Sequence, residues 1–268
     1  MLGLADVGAE AVLIAGGGRA ILLQIADPAI AAGVARHSDF AHRPLDRLNG
    51  TLMFVYALGF GTPEDRARVV TRVNRAHGPV RSAGRDSAEG ASGDSLPGST
   101  PAYSAFDPTL QLWVAATLYE TATVLYSDVF GALDDESAEQ IYREYAVLGT
   151  ALQMPVELWP EDRAAFERYW DERMSSLTVT DDARRVAHDL LHPVAGPLLL
   201  RASMPLARLI TAGLLDERLR REFGLDWSPL RQKRFDRVMA VIRAVWPRLP
   251  RRLRHWPARH YLRRLRAL

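Results

Sequence analysis

The sequence contains no cysteine. Its absence excludes disulfides, thiolate ligands, iron–sulfur clusters and cysteine nucleophiles, and it leaves histidine and the carboxylates as metal ligands. Long apolar segments are missing too: the longest uncharged run, residues 48–63, is short and interrupted by glycine, so no membrane span is predicted. The chain does not open with a basic and then apolar leader, and we therefore expect a cytoplasmic protein.

Motifs of two large enzyme classes are also absent. The glycines at positions 16–18 lack the spacing and the Lys-Ser/Thr pair of a phosphate-binding loop, and no G-x-S-x-G motif supports a serine hydrolase. No segment alternates polar and β-branched residues, and no βαβ rhythm occurs. Apolar residues recur instead at helical spacing, and hydrophobic residues make up 48% of the chain, enough for a sizeable core. The sequence therefore predicts an all-α fold.

Helix caps and helix breakers predict where the helices lie. Thr62 is a good N-cap, Pro63 suits a first turn, and Gly78 ends that helix directly after His77. Other helices are predicted as two short segments within 9–35, over 45–58, over 108–130, from Asp134 or Asp135 to about Gln153, from Pro160 onwards, and over 181–223 with interruptions at Pro193, Pro197 and Pro205.

Composition divides the chain into regions. Residues 82–102 are crowded with small and polar residues and predict a flexible loop, either a lid or a disordered insert. From residue 231 onwards 13 basic residues face one acidic residue, so residues 1–230 carry a net charge of −10. We predict a main domain over 1–230 and an Arg-rich helical extension over 231–268 that docks on the acidic body. Peripheral contact of this extension with a membrane surface is the alternative, and no nucleic-acid partner is expected.

His77 has the most informative setting of the seven histidines. It shares a helix face with Val70 and Val73, and Arg81 follows four residues later. A haem site needs a neutral imidazole over an apolar cavity and cations near the rim for the two propionates. On local chemistry alone, a histidine stabilised by the negative end of the helix dipole is the favoured alternative. His37 flanks a polar turn and could be a cap or a site residue.

A series of short motifs runs in order along roughly residues 10–260. It consists of Gly18-Arg19 with Leu22-Leu23-Gln24 and Pro28, His37-Ser38, Arg47-Leu48-x-x-Thr51, His77-x-x-Val80-Arg81, Tyr103-x-Ala105-x-Asp107-Pro108, Trp113-Val114-x-Ala116-Thr117-Leu118, Tyr142-Arg143-Glu144 and Leu249-Pro250-x-x-Leu253-Arg254. The ordered series resembles the catalytic domain shared by bacterial latex clearing proteins (rubber oxygenases) and the fungal mycophenolic-acid-pathway oxygenase.

The resemblance implies a helical fold with a globin-like core and one haem b. The histidine of the H-x-x-V-R motif, here His77, is implied as the axial iron ligand, and Arg81 as the partner of a propionate. The Arg and Thr of R-x-x-x-T, here Arg47 and Thr51, are implied to line the distal pocket and act on dioxygen, and His37 is implied on the distal side of the cofactor. The alternative role for Arg47 is an ion pair with Asp46, its neighbour in the chain. The alternative role for Thr51 is a hydrogen bond to the backbone of its own helix.

Three departures from the family leave the substrate open. Latex clearing proteins can carry a lysine directly before that threonine, and Gly50 excludes such a ligand here. Members often have histidine where this chain has Asp27 and Ala115, and the loop over 82–102 is expanded. We predict a haem b-dependent oxygenase or oxidase that uses dioxygen or peroxide on an apolar or aromatic small molecule. The alternative is a non-catalytic haem- or lipid-binding helical protein at a membrane surface.

Overall fold

The computed structural model describes residues 1–82 and 102–268. Within these ranges the fold is all-α, as predicted, and the one contact of β type is an isolated antiparallel bridge between Arg81 and Ser104. The globin-like character of the core stays a prediction. The predicted flexible loop lies outside the described residues except for its two ends.

Fifteen α-helices and three 3₁₀ helices are found in the described ranges. The α-helices are α1 Leu4–Gly8, α2 Gly17–Ile25, α3 Pro28–His37, α4 Pro44–Phe60, α5 Pro63–His77, α6 Pro108–Phe130, α7 Asp135–Tyr145, α8 Val147–Thr150, α9 Arg163–Ser176, α10 Asp181–Leu191, α11 Leu198–Leu214, α12 Glu217–Glu222, α13 Pro229–Val245, α14 Arg251–Arg254 and α15 Trp256–Arg266. The 3₁₀ helices are Ala11–Gly16, Val156–Leu158 and Trp246–Arg248.

Helices α5 and α6 begin and end where their local chemistry predicts. The Thr62 hydroxyl accepts from the backbone N–H of Asp65, and the Asp65 carboxylate accepts from the backbone N–H of Thr62, which closes a capping box. Asp107 caps α6 by accepting from the N–H of Thr109. Both helices carry proline in the first turn, where its missing N–H costs nothing.

Two helix predictions need correction. The helix expected to reach about Gln153 ends at Thr150, after α7 passes into α8 through Ala146. The expected interruption at Pro205 is wrong, since α11 continues through it. Proline cannot donate to the carbonyl four residues earlier, but here Arg201 and Pro205 are exposed, so solvent can satisfy that carbonyl.

Helix α6 lies at the centre of the core. Its Trp113 is fully buried and donates from Nε1 to the carbonyl of Leu23 on α2, 3.1 Å away. Tyr119 on the same helix packs edge-on against Phe166 of α9, with ring centroids 4.9 Å apart. Helix α4 packs against α5, and both helices contact α15 at the C-terminus. The central helix is thereby held by aromatic packing on one side and by short N-terminal helices on the other.

The Arg-rich C-terminal segment joins two buried carboxylates of the body, an arrangement we name the C-terminal clamp. Glu10 accepts from Arg254 (2.7 Å) and from Trp246 (3.2 Å), and its Oε1 lies 3.0 Å from Nε2 of His255. Asp65 accepts from Arg266 at 2.6 Å. The boundary at residue 230 between a main domain and a C-terminal extension stays a prediction. The helix nearest to it, α13, begins at Pro229.

No single described helix is long and apolar enough to cross a membrane. The segments Ala11–Ile25 and Pro28–His37 reach the required length and composition only when taken together, and they are bent by 112° relative to each other.

Candidate functional site

A cavity of about 860 Å³ lies between α3, α4, the C-terminal end of α5 and the first half of α6. Its volume falls in the range of roughly 300–1,000 Å³ that is typical of ligand and cofactor sites. Much of its wall is apolar, formed in part by Ile30, Val34, Phe54, Leu110, Val114 and Leu118. Such a wall favours a large apolar ligand whose few polar groups meet specific side chains.

His77 contributes its ring to the cavity wall from the last position of α5. Val73, one turn earlier, also lines the cavity, and the ring of Phe106 stands edge-on to the imidazole at 6.3 Å. The Nδ1 atom is buried, and among the described residues the ring has no hydrogen-bond partner. A buried imidazole nitrogen without a partner costs free energy, and such atoms are found at catalytic and ligand sites.

Burial lowers the pKa of His77, and the positive charge of Arg47 lowers it further. Both effects disfavour the imidazolium cation. The ring is therefore neutral at pH 7, which is the form that can bind a metal ion. The dipole alternative considered from the sequence would raise the pKa instead, so the environment in the folded chain differs from that expectation.

Arg47 lies in the cavity wall on α4. It is partly accessible from the cavity, yet enough protein surrounds it for burial to lower the pKa of its guanidinium. Its one hydrogen bond to a described residue goes to Oγ of Ser38, at a long 3.4 Å. The alternative of a pair with Asp46 is wrong, because Asp46 pairs with Arg43. In the described part of the chain, no carboxylate lies within ion-pair distance of this cation.

One face of α4 has open space beside Arg47. Gly50 and Thr51 both line the cavity, three and four residues after Arg47, as their helical spacing requires. A Cβ atom added to Gly50 would meet nothing within 4 Å. The Thr51 hydroxyl has no hydrogen bond to any residue that the structure describes, so the alternative of a bond to its own helix is not found. Arg47 and Thr51 thus both have donors that no described residue uses, one turn apart on the same helix face.

His37 lines the cavity at the end of α3, where its Nε2 atom lies 3.3 Å from the hydroxyl of Tyr103. Tyr103 also lines the cavity, and Arg36 stacks over its ring at 5.7 Å. Sequence reasoning quoted Tyr103 within a motif but assigned it no role. The signal was present, since this tyrosine directly follows the predicted loop over 82–102 and precedes the first turn of α6.

Arg81 does not appear in the cavity wall, although its chain neighbour Val80 does. The backbone of Arg81 bridges to Ser104, which is a lining residue. Arg72, on α5 one turn before Ala76, lines the cavity and was missed by sequence reasoning. Its spacing of five residues from the proposed ligand His77 does not indicate a shared helix face, so no signal in the sequence pointed to it.

The two positions at which the resemblance led us to expect histidine, Asp27 and Ala115, have different surroundings. Asp27 caps α3 through its Oδ1 atom and pairs with Arg173 at 2.8 Å, which gives it a structural role. Ala115 is buried and lines the cavity on α6. The alanine leaves space in the cavity that a histidine side chain would fill.

Comparisons with known proteins extend over most of the chain. Residues 5–244 match the family described as ER-bound oxygenase mpaB/B'/Rubber oxygenase, catalytic domain. Two mycobacterial relatives, the uncharacterized proteins Rv2237 of Mycobacterium tuberculosis and Mb2261 of Mycobacterium bovis, are each 31% identical to the chain over 237 residues. That stretch covers 87% of this chain and 88% of each relative. No solved structure matches the chain significantly.

Proposed function

Because the chain belongs to the family of mpaB and rubber oxygenase catalytic domains, and is thus an oxidoreductase of the oxygenase class, we propose that it is a haem b-dependent oxygenase acting on an apolar or aromatic small molecule. The observation that carries the haem assignment is the imidazole of His77, neutral and without a described partner in the wall of a large apolar cavity.

The residues of the cavity fit a haem b. Among the residues that the structure describes, no three histidine or carboxylate side chains converge on a point, so a free metal ion held by several ligands finds no support. A haem needs only an axial side chain from the protein, because the porphyrin supplies the remaining nitrogen ligands. His77 is the residue we propose for that role. Arg43 and Arg72, which are exposed at the cavity, and the nearby Arg81 are the cations we propose for the propionates.

When bound, the haem would supply the activation of dioxygen or peroxide. Arg47 and Thr51 would donate hydrogen bonds to the oxygen species, since neither is committed to another described residue and both lie on one helix face. The apolar wall would exclude water and hold the organic substrate near these donors. His37 and Tyr103 form a hydrogen-bonded pair that reaches from the exposed end of α3 into the cavity, which suits the movement of a proton between solvent and site.

A pyridine haemochrome assay on the purified protein tests the cofactor, and oxygen uptake tests the reaction. We expect haem b at about one equivalent and uptake that depends on an added apolar substrate. Arg47→Ala and Thr51→Ala are expected to keep haem and lose most turnover, because neither residue is proposed to bind iron. A purified chain that takes up no haem on reconstitution would contradict the cofactor assignment. A loaded chain with fully active Arg47→Ala would remove Arg47 from the mechanism.

A further inference from the structure

We propose that the substrate of this oxygenase carries a carboxylate, which Arg47 binds inside the cavity. That the bound acid is a substrate rests on the proposed function. The anion site itself rests on the charges in the cavity. It narrows an apolar or aromatic small molecule to an amphipathic acid.

The argument begins with the cost of the Arg47 charge. A guanidinium stays protonated at any physiological pH, and a cation removed from water without a counter-charge is strongly destabilising. Other arginines that are buried or half-buried have clear partners: Arg19 pairs with Glu120 and Arg254 with Glu10, whereas Arg208 and Arg220 donate to backbone carbonyls. Arg47 has one long hydrogen bond to a serine and no carboxylate partner in the described residues. The missing counter-charge is therefore expected from a ligand.

The donors around Arg47 suit a carboxylate. The guanidinium has five N–H donors in a planar fork that matches the two oxygens of a carboxylate. One of the five donors reaches Ser38. A carboxylate takes two more, and the other two stay available for the oxygen species proposed above. Gly50, next to it in the wall, leaves open space where any other residue would place a Cβ, so an acid group can approach the helix closely. The rest of the wall is largely apolar, which suits the remainder of an amphipathic acid.

A propionate of the proposed haem is the other source of a carboxylate, and the distribution of arginines favours the substrate. Arg72 is exposed and lies at the cavity near solvent, where an ionised propionate keeps its hydration. Arg47 is less exposed and lines the same cavity as His77. A carboxylate at Arg47 is thus held beside the proposed iron ligand, and the apolar part of the same molecule can reach the reacting centre.

Octanoate and its neutral amide, octanamide, test the proposal as a matched pair of probes. Both are titrated at pH 7 into the purified full-length protein by calorimetry, after its haem content has been measured. We expect octanoate to bind at least tenfold more tightly than octanamide. Arg47→Met is expected to abolish the preference, whereas Arg47→Lys, which keeps the charge, retains part of it. Arg68→Met, which removes an exposed charge of α5 outside the cavity wall, serves as the control and leaves the preference unchanged.

Equal affinities for the two probes, or a preference that survives in Arg47→Met, would overturn the proposal. The propionate source is distinguished with haem dimethyl ester. Arg47 holds a propionate, and the assignment to substrate is wrong, if three results occur together. The wild-type protein binds the ester more weakly than haem, Arg47→Met binds the ester and haem equally tightly, and the haem-loaded wild type shows no preference for octanoate. A chain that takes no haem but keeps the Arg47-dependent preference would refute the proposed function and leave the anion site standing.

Discussion

The C-terminal clamp and the cavity both hold charged or polar side chains partly or wholly away from water, but they treat them in opposite ways. In the clamp, Glu10 is 4% exposed and is met by Arg254, His255 and Trp246. In the cavity, Arg47 has one long hydrogen bond, and the ring of His77 has none to a described residue.

This difference separates groups that stabilise the fold from groups that wait for a ligand. A buried charge with its partner contributes to the folded state as a unit, and removing either partner leaves the other uncompensated. A buried charge without a partner lowers stability until something binds to it. The clamp is therefore expected to raise the free energy of unfolding. The cavity is expected to provide ligand binding and to lower the free energy of unfolding of the ligand-free protein.

The largest stability effect is expected at Glu10. Glu10→Gln leaves Arg254 and His255 without their shared carboxylate and should lower the free energy of unfolding by about 3 kcal/mol, the scale found when one partner of a buried pair is removed. Urea denaturation measures it. Glu217→Gln is the matched control, because Glu217 and its partner Arg221 are exposed and such pairs contribute less than about 1 kcal/mol. Equal losses in the two variants would remove the distinction between clamp and surface.

The second test of the clamp uses pH. The hydrogen bond from Arg266 lowers the pKa of Asp65 below its ordinary value. A carboxyl whose pKa is lower in the folded state stabilises the fold above the unfolded pKa, and this contribution is lost as the pH falls below about 4. Wild type should therefore be more stable than Asp65→Asn at pH 7, and the gap should shrink on acidification. A gap that is constant from pH 7 to pH 3 would show that ionisation of Asp65 does not contribute.

Removing a charge from the cavity should raise the stability of the protein, whereas removing one from the clamp should lower it. Arg47→Met keeps a side chain of similar length and removes a half-buried cation that has no carboxylate partner among the described residues. The ligand-free protein should therefore become more stable by about 1 kcal/mol. The same substitution in the clamp, Arg254→Met, should destabilise, because Glu10 then loses its arginine. Thermal and urea unfolding of both haem-free variants measure the contrast. A loss of stability in Arg47→Met as large as that in Arg254→Met would mean that Arg47 has a structural partner.

The smallest effect is expected at Gly50. Glycine in a helix interior costs roughly 0.5–1 kcal/mol relative to alanine, and a Cβ at this position clashes with nothing. Gly50→Ala should therefore stabilise the ligand-free chain while reducing affinity for the cavity ligand, whose space the methyl group takes. Gly59→Ala, on the same helix but outside the cavity wall, should stabilise similarly and leave ligand affinity unchanged. Unchanged affinity in Gly50→Ala would show that no ligand approaches this point.

Local chemistry made part of this structure predictable. The ends of α5 follow from Thr62, Pro63 and Gly78, and α6 spans the predicted residues 108–130, because caps and prolines act on their immediate neighbours. Pro205 shows the limit of such rules, since its effect depends on whether the carbonyl four residues earlier reaches solvent.

The site was predictable only in part. Arg47 and Thr51 could be placed on one face from their spacing, and His77 from its stripe with Val73. That these helices meet around one cavity follows from packing, which the order of residues does not reveal. The partnership of Glu10 with Arg254 spans 244 residues, so charge balance predicts an attraction but not the pair. Tyr103 required the fold to bring it to His37.

The central claim is that the ring of His77, which has no partner among the described residues, holds the cofactor. The most direct measurement compares haem binding by wild type, His77→Ala and His37→Ala, each reconstituted with haem b and followed by its Soret band. His77→Ala should lose haem or bind it at least a hundredfold more weakly, and it should also lose the rise in melting temperature that haem gives the wild type. His37→Ala should retain a bound haem with an altered spectrum. A normal Soret band in His77→Ala together with its loss in His37→Ala would contradict the account and exchange the roles of the two histidines.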